Sequence, residues 1–146
     1  MKKYSKKNLL SLLLCAVLIA AMALTVTGCS DTKTPTEWAT KTFANGEILG
    51  EGSTEFTLIV VDAEGTENTA TIRTDKTVVG DALLELELIN GPVESYGIYV
   101  KTVNGMTYDY DTDGKYWAFY IDGEYALTGI DQTELRSGAV YTLKAE

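Results

Sequence analysis

The apolar residues of this chain change period twice, and that double change constrains the fold more than any other feature. Phe56, Leu58 and Val60 alternate with Glu55, Thr57 and Ile59, the period of two that marks a strand. Ala63-Glu64-Gly65-Thr66 supplies a turn, and Ala70 and Ile72 then alternate with Thr69, Thr71 and Arg73, so the two runs predict a hairpin. Val79, Ala82, Leu83 and Leu86 follow at helical spacing. Thr77 is placed to cap their start and Asn90-Gly91-Pro92 to end them, which predicts one short amphipathic helix over residues 78–89.

The strand period then returns. Ile98 to Val103 leads into the turn pair Asn104-Gly105, Lys115 to Ile121 leads into Asp122-Gly123, and a closing strand runs from about Ala139 to Leu143. Hairpin, helix, further strands and a closing strand describe an α+β domain over residues 53–146. Its expected architecture is a β-grasp-like mixed sheet with one helix packed across one face.

The preceding residues read differently. Residues 1–28 have a basic start, an apolar stretch from Leu9 to Val26, and then Val26-Thr27-Gly28-Cys29, the small residues before a cysteine that form a bacterial lipobox. They are expected to be a lipoprotein signal peptide. Cleavage before Cys29 and attachment of diacylglycerol to its sulfur would hold the chain on the outer face of the cytoplasmic membrane. Residues 29–52 are rich in threonine, carry both signs of charge and Pro35, and show no sustained apolar period, so they are expected to be a tether. As flexible coil it would reach roughly 25 Å. Trp38 and Phe43 are unusual in a spacer and either pack on the domain or stand exposed.

Charge and composition narrow the chemistry. Removing the leader takes away Lys2, Lys3, Lys6 and Lys7 and leaves 8 basic against 21 acidic residues, a net charge of −13. So negative a surface disfavours nucleic acid as a partner. Histidine is absent, which removes the usual neutral-pH general base and the commonest metal ligand. Cys15 leaves with the leader and Cys29 carries lipid, so no thiol remains for nucleophilic catalysis. Asp122 and Glu124 are paired carboxylates in or beside a tight turn, where solvation is their expected role. The chain is not expected to be an enzyme.

Nine of the 14 aromatic residues lie between Tyr96 and Tyr125. Alternation from Tyr116 to Ile121 puts Trp117, Phe119 and Ile121 on one face, with Tyr116, Ala118 and Tyr120 on the other. Two readings stay open. The aromatics are a core with an amphipathic surface, or Tyr96, Tyr116, Trp117, Tyr120 and Tyr125 include a wall on which a flat apolar ligand or a sugar stacks. Asp109-x-Asp111-x-Asp113-Gly114 matches the first half of a Ca²⁺ loop, although Tyr120 stands at the twelfth position where a bidentate Glu belongs. The same residues also suit a solvated hairpin turn.

The runs Tyr96 to Gly105, Asp109 to Gly114 and Tyr116 to Tyr125, with Gly129-Ile130 and the helix segment Val79 to Leu84, resemble the bacterial domain related to the C-terminal domain of transcobalamin and intrinsic factor. The resemblance covers about residues 54–146, and its most specific part is Tyr116-Trp117 followed by a strand and a glycine turn. It implies a β-grasp-like fold on a secreted or lipid-anchored protein of a Gram-positive bacterium. In the vitamin carriers the related domain covers one face of cobalamin. The expectation is therefore a lipid-anchored extracytoplasmic module binding a small molecule, with cobalamin or another corrinoid as the candidate ligand and a membrane transporter as the candidate partner. The alternative is a cell-envelope interaction or adhesion module that transfers no ligand. A lipid anchor requires the Cys29 thiol, so Cys29→Ser should move the protein from the membrane to the soluble fraction. Retention of that variant on membranes washed in high salt would point to an uncleaved span.

Overall fold

The computed structural model describes residues 37–146; the leader, Cys29 and the first part of the expected tether lie outside them. Strands β1 (Glu47–Leu49), β2 (Thr54–Val61) and β3 (Glu67–Thr74) are followed by helix α1 (Val79–Glu85). Five two-residue strands come next: β4 (Ile89–Asn90), β5 (Val93–Glu94), β6 (Gly97–Ile98), β7 (Thr102–Val103) and β8 (Met106–Thr107). The one-turn helix α2 (Tyr110–Asp113), strands β9 (Trp117–Ile121) and β10 (Glu124–Tyr125), a 3-10 turn (Ile130–Gln132) and β11 (Val140–Ala145) complete the chain.

The main sheet runs β1-β3-β2-β11-β9-β10. Its first hairpin is the expected one, with Phe56 opposite Ile72 and Leu58 opposite Ala70. The closing strand β11 lies beside β2, parallel to it, and antiparallel to β9. Parallel neighbours cannot be joined by a tight turn, so the whole segment from α1 to the 3-10 turn serves as the crossover. This mixed α+β sheet with one main helix across one face has the β-grasp strand order.

Registers across the sheet align the core. Leu58, Tyr141 and Ile121 form one row, and Val60, Leu143 and Phe119 the next. Over this face α1 buries Val79, Gly80, Ala82 and Leu83. Gly80 allows the helix and the 3-10 turn to meet backbone to backbone, since a Cβ there would lie 2.8 Å from the Asp131 Cα. Tyr141 is fully buried, with its ring edge-on to Phe56 at 5.2 Å. Its hydroxyl accepts from the Arg136 N–H at 2.9 Å, so the aromatic core residue leaves no polar group unsatisfied.

Three expectations are corrected. The helix is Val79–Glu85, shorter than residues 78–89. Leu88 N–H donates to the Leu83 carbonyl and Glu87 N–H to that of Leu84, a Schellman closure with Glu87 at φ 57°. The apolar contact that this closure favours is supplied by Leu88, which is buried like Leu83, so the chain turns before Asn90-Gly91-Pro92. Thr77 is not the cap: Val78 occupies that position, and the Val79 N–H donates to the Thr133 carbonyl at 3.0 Å. The strand expected from Ile98 to Val103 is divided, β6 pairing with β5 and β7 with β4. Between them Gly91 permits a close approach, a Cβ there lying 2.0 Å from the Tyr99 oxygen.

The third correction concerns the tether. Residues 37–52 lie on the domain: Phe43 is buried, its N–H donates to the buried Asn104 Oδ1 at 2.7 Å, and β1 adds to the sheet parallel to β3. Glu47, Ile48 and Leu49 lie opposite Ala70, Thr71 and Ile72, so β1 covers an edge that would otherwise be open. Among the described residues no helix is long and apolar enough to cross a membrane. Phe43→Ala should lower the unfolding free energy by about 3–5 kcal/mol in denaturant titration. A loss below about 0.5 kcal/mol, the scale of an exposed position, would restore the free tether.

Candidate functional site

The site begins with the parity of β9. Trp117 faces the core opposite Ala145, with 6% of its surface exposed. Its Nε1–H donates to the Lys101 carbonyl at 3.2 Å, and its ring packs against Tyr108 at 5.1 Å. With Trp117 turned inward, alternation sends Tyr116 to the opposite side. There Tyr116 meets Tyr110 edge-on at 6.4 Å.

Tyr110 is positioned by α2. Asp109 caps this turn, its Oδ1 accepting from the Asp111 N–H at 3.0 Å. Asp113 Oδ2 accepts from the Asp109 N–H at 2.8 Å, and Gly114 closes the turn in the left-handed region at φ 63°. The other carboxylate oxygen of Asp109 pairs with Lys101 Nζ in a partly buried contact. Each partner favours the charged form of the other, holding Lys101 above its ordinary range and Asp109 below it. Lys101 Nζ also lies 5.5 Å from the centroid of the Tyr99 ring.

These segments enclose a groove of about 550 Å³ walled by Tyr96, Tyr99, Tyr110 and Tyr116, with Pro92, Glu94, Lys101 and Asp111 completing the lining. A smaller concavity of about 190 Å³ shares Tyr99 and Tyr116 and continues past Trp117 and Phe119 to Tyr125 and Ala126. Among the described residues seven large hydrophobic or aromatic side chains are exposed. Tyr96, Tyr110 and Tyr125 line one of these two hollows. Val93 and Leu127, 82% and 97% exposed, are flanked in the chain by lining residues. Only Ile48 and Leu84 stand apart.

A hollow of comparable size, about 490 Å³, lies between Ala39, Thr40 and Lys41 on one side and Leu84 of α1 with the residues that follow the helix on the other. It has no aromatic wall, and the Lys41–Glu87 ion pair at 2.7 Å joins two of its lining residues. The tyrosine groove is the better candidate because it combines concavity with four tyrosine side chains, of which Tyr96 and Tyr110 are exposed.

The residues expected from sequence to contact ligand are distributed unequally. Tyr96 and Tyr116 lie in the groove, and Trp117 and Tyr125 line the smaller concavity. Tyr120 is opposite Tyr125 in the β9–β10 pair, their rings 5.4 Å apart, and lines neither hollow. Its hydroxyl donates to Glu146 Oε1 at 2.6 Å. That bond pushes the Tyr120 phenol up to about 12, and a hydrogen bond with Tyr125 raises Tyr116. Tyr99, Lys101 and Tyr110 belong to the groove but were not expected there. The shared parity of Tyr99 and Lys101 was a readable hint; the placement of Tyr110 depends on the capped turn.

The expected Ca²⁺ loop does not form a converging set. Asp109 is the cap of a single turn that holds Asp111 and Asp113, and a spacing of two residues turns Asp111 away from the other two. The Asp109 and Asp113 carboxylates are engaged by backbone N–H groups and Lys101. Among the described residues no group of three or more carboxylates is arranged to hold a metal ion. Asp122 is likewise engaged, accepting from the Val140 N–H at 2.8 Å and from Arg136 Nη2 at 2.7 Å.

Residues 76–145 match the family model of a domain of unknown function, DUF4430, a span that runs from before α1 through β11. A Ruminococcus gnavus protein described as a candidate metal-binding protein is similar in structure, with a TM-score of 0.61 and 29% sequence identity. The match covers 64% of this chain and 97% of that one. Haptocorrin in complex with Cbi matches with a TM-score of 0.47 and 18% identity over 67% of this chain and 26% of its own. No curated protein sequence matches the chain.

Tyr120 should ionise at about 12, against 10.0 for an unperturbed phenol, in a spectrophotometric titration of the wild type minus Tyr120→Phe. Because the folded value is raised, the stabilisation from this bond is complete below about pH 10 and disappears as pH rises through about 12. Glu146→Gln should return the value toward 10; an unchanged value would show that Glu146 is not the cause.

Proposed function

We propose that this chain is a small-ligand-binding module, lipid-anchored through Cys29 on the outer face of the cytoplasmic membrane, whose binding site is the tyrosine groove. The carrying observation is the concentration of exposed apolar surface. Of the seven exposed large side chains among the described residues, Tyr96, Tyr110 and Tyr125 line two adjoining hollows, and Val93 and Leu127 are next in sequence to lining residues. A folded surface leaves such a patch uncovered where it serves binding. Tyrosines suit this task because they offer large, stiff, amphipathic faces with little side-chain entropy to lose.

The finer reading draws on the sequence resemblance to transcobalamin-type domains: a flat corrinoid stacks across Tyr96, Tyr110 and Tyr116 and is passed to a membrane transporter. The metal-binding description of the Ruminococcus gnavus protein has no counterpart in a converging set of carboxylates among the described residues. Catalysis is not part of the proposal, since the chain lacks histidine and Asp122 is held by Val140 and Arg136. A second reading, docking of an envelope protein, is favoured by one feature. Val93 and Leu127 are the most exposed of the seven and line neither hollow.

Calorimetric titration of the soluble Cys29→Ser chain with cobinamide and cobalamin tests the finer reading. Tyr96→Ala and Tyr110→Ala remove side chains that are 67% and 62% exposed and should leave the melting temperature nearly unchanged. Each should weaken binding by about 1 kcal/mol or more. Absence of corrinoid binding together with retention of an envelope protein by the wild type, lost in Leu127→Asp, would replace uptake with docking.

A further inference from the structure

The geometry points to a small organic cation, a quaternary alkylammonium, as the ligand class of the tyrosine groove. This inference rests on the groove being the binding site, keeps that part of the reading above, and puts the cation in place of the corrinoid as the groove's occupant. The first support is charge. Lys101 is the basic residue of the lining and is already neutralised by Asp109, whereas Glu94 and Asp111 have no ion-pair partner among the described residues. With that pair formed, the remaining fixed charge of the groove is that of two carboxylates. An anionic ligand would meet those charges, and a neutral one would leave them unused.

The second support is the ammonium that the groove already contains. Lys101 Nζ is held by the Asp109 carboxylate and lies over the Tyr99 ring at 5.5 Å. Tyr96, Tyr110 and Tyr116, together with Glu94 and Asp111, provide the same two chemistries again, aromatic rings and carboxylates; Lys101, the cation of that lining, is paired with Asp109 and feels Asp111 only at longer range. The negative face of an aromatic ring attracts a cation, and several rings around a common space suit a quaternary ammonium. Such a cation cannot donate hydrogen bonds from nitrogen, and its apolar shell makes it cheaper to dehydrate than a primary ammonium. A broad groove walled by rings, with carboxylates to balance charge, matches that chemistry.

The test is saturation-transfer NMR on the soluble Cys29→Ser chain, with choline chloride as probe and 3,3-dimethylbutan-1-ol as its neutral carbon isostere, at matched ionic strength. Choline should bind saturably and about tenfold more tightly than the alcohol, the scale of a cation–aromatic contact in a partly dehydrated site. The double variant Glu94→Gln/Asp111→Asn should reduce the choline affinity severalfold and leave the alcohol unchanged. Tyr110→Ala should weaken choline while preserving the circular-dichroism melting curve. Equal affinity for choline and alcohol would overturn the inference and keep the groove as an uncharged binding site. Binding of neither overturns it too, and the corrinoid titration then decides separately whether the groove binds ligand at all. A choline affinity that survives Tyr110→Ala and the double variant would place the cation elsewhere and also contradict the inference.

Discussion

The parallel pairing of β2 with β11 is the constraint on which the rest of the structure depends. Five register pairs, from Val140 opposite Thr57 to Lys144 opposite Val61, insert the last strand between the first hairpin and β9. Without that insertion the hairpin and the aromatic segment would be separate units, each too small to bury its own apolar face. With it, Leu58, Tyr141 and Ile121 become one continuous row beneath α1, and the buried Tyr141 links rows by packing on both Phe56 and Phe119. The antiparallel β11–β9 register then sets parity. Once Ala145 stands opposite Trp117, Trp117 belongs to the core and Tyr116 cannot.

The groove inherits its rigidity from that core without being part of it. The Trp117 indole donates to the backbone of Lys101, whose side chain holds Asp109, and Asp109 caps the turn that presents Tyr110. Three segments 8 and 16 residues apart in sequence are thereby joined by one partly buried ion pair and one indole hydrogen bond. Tyr99, beside Lys101 in the chain, and Tyr116, beside Trp117, are fixed by their neighbours. Tyr96 is less constrained, standing in the tight connection between β5 and β6; Gly97, which opens β6, adopts φ 118°, and a Cβ there would meet the Asp131 carboxylate at 2.6 Å.

How much of this was legible in sequence follows from how local each cause is. Asn104-Gly105 and Asp122-Gly123 could be read as hairpin turns because they need positive φ at both residues, and the structure has 49° and 78° at the first and 50° and 86° at the second. The hairpin register, the helix face and the inward set Trp117, Phe119 and Ile121 were readable for the same reason: periodicity alone decides them. The end of α1 was not, because a glutamate takes the left-handed position normally given to glycine and the buried contact of Leu88 compensates. The docking of residues 37–52 was not, because the partner of Phe43 is Asn104, 61 residues later. Tyr116 could be assigned to the outward face by alternation, but Tyr99 and Tyr110 join it only through the Lys101–Asp109 pair. The aspartates resembled a calcium loop because capping a short turn and ligating an ion draw on the same residue type at the same spacing.

The central claim is that the tyrosine groove, and not another hollow of similar size, is where this domain binds small molecules. Soaking crystals of the soluble Cys29→Ser chain with a mixed set of small aromatic, sugar and ammonium fragments tests it without presupposing the ligand. The account predicts that fragments collect between Tyr96, Tyr99, Tyr110 and Tyr116. An empty groove, with fragments gathered instead beside Ala39, Leu84 and Asn90, would contradict it.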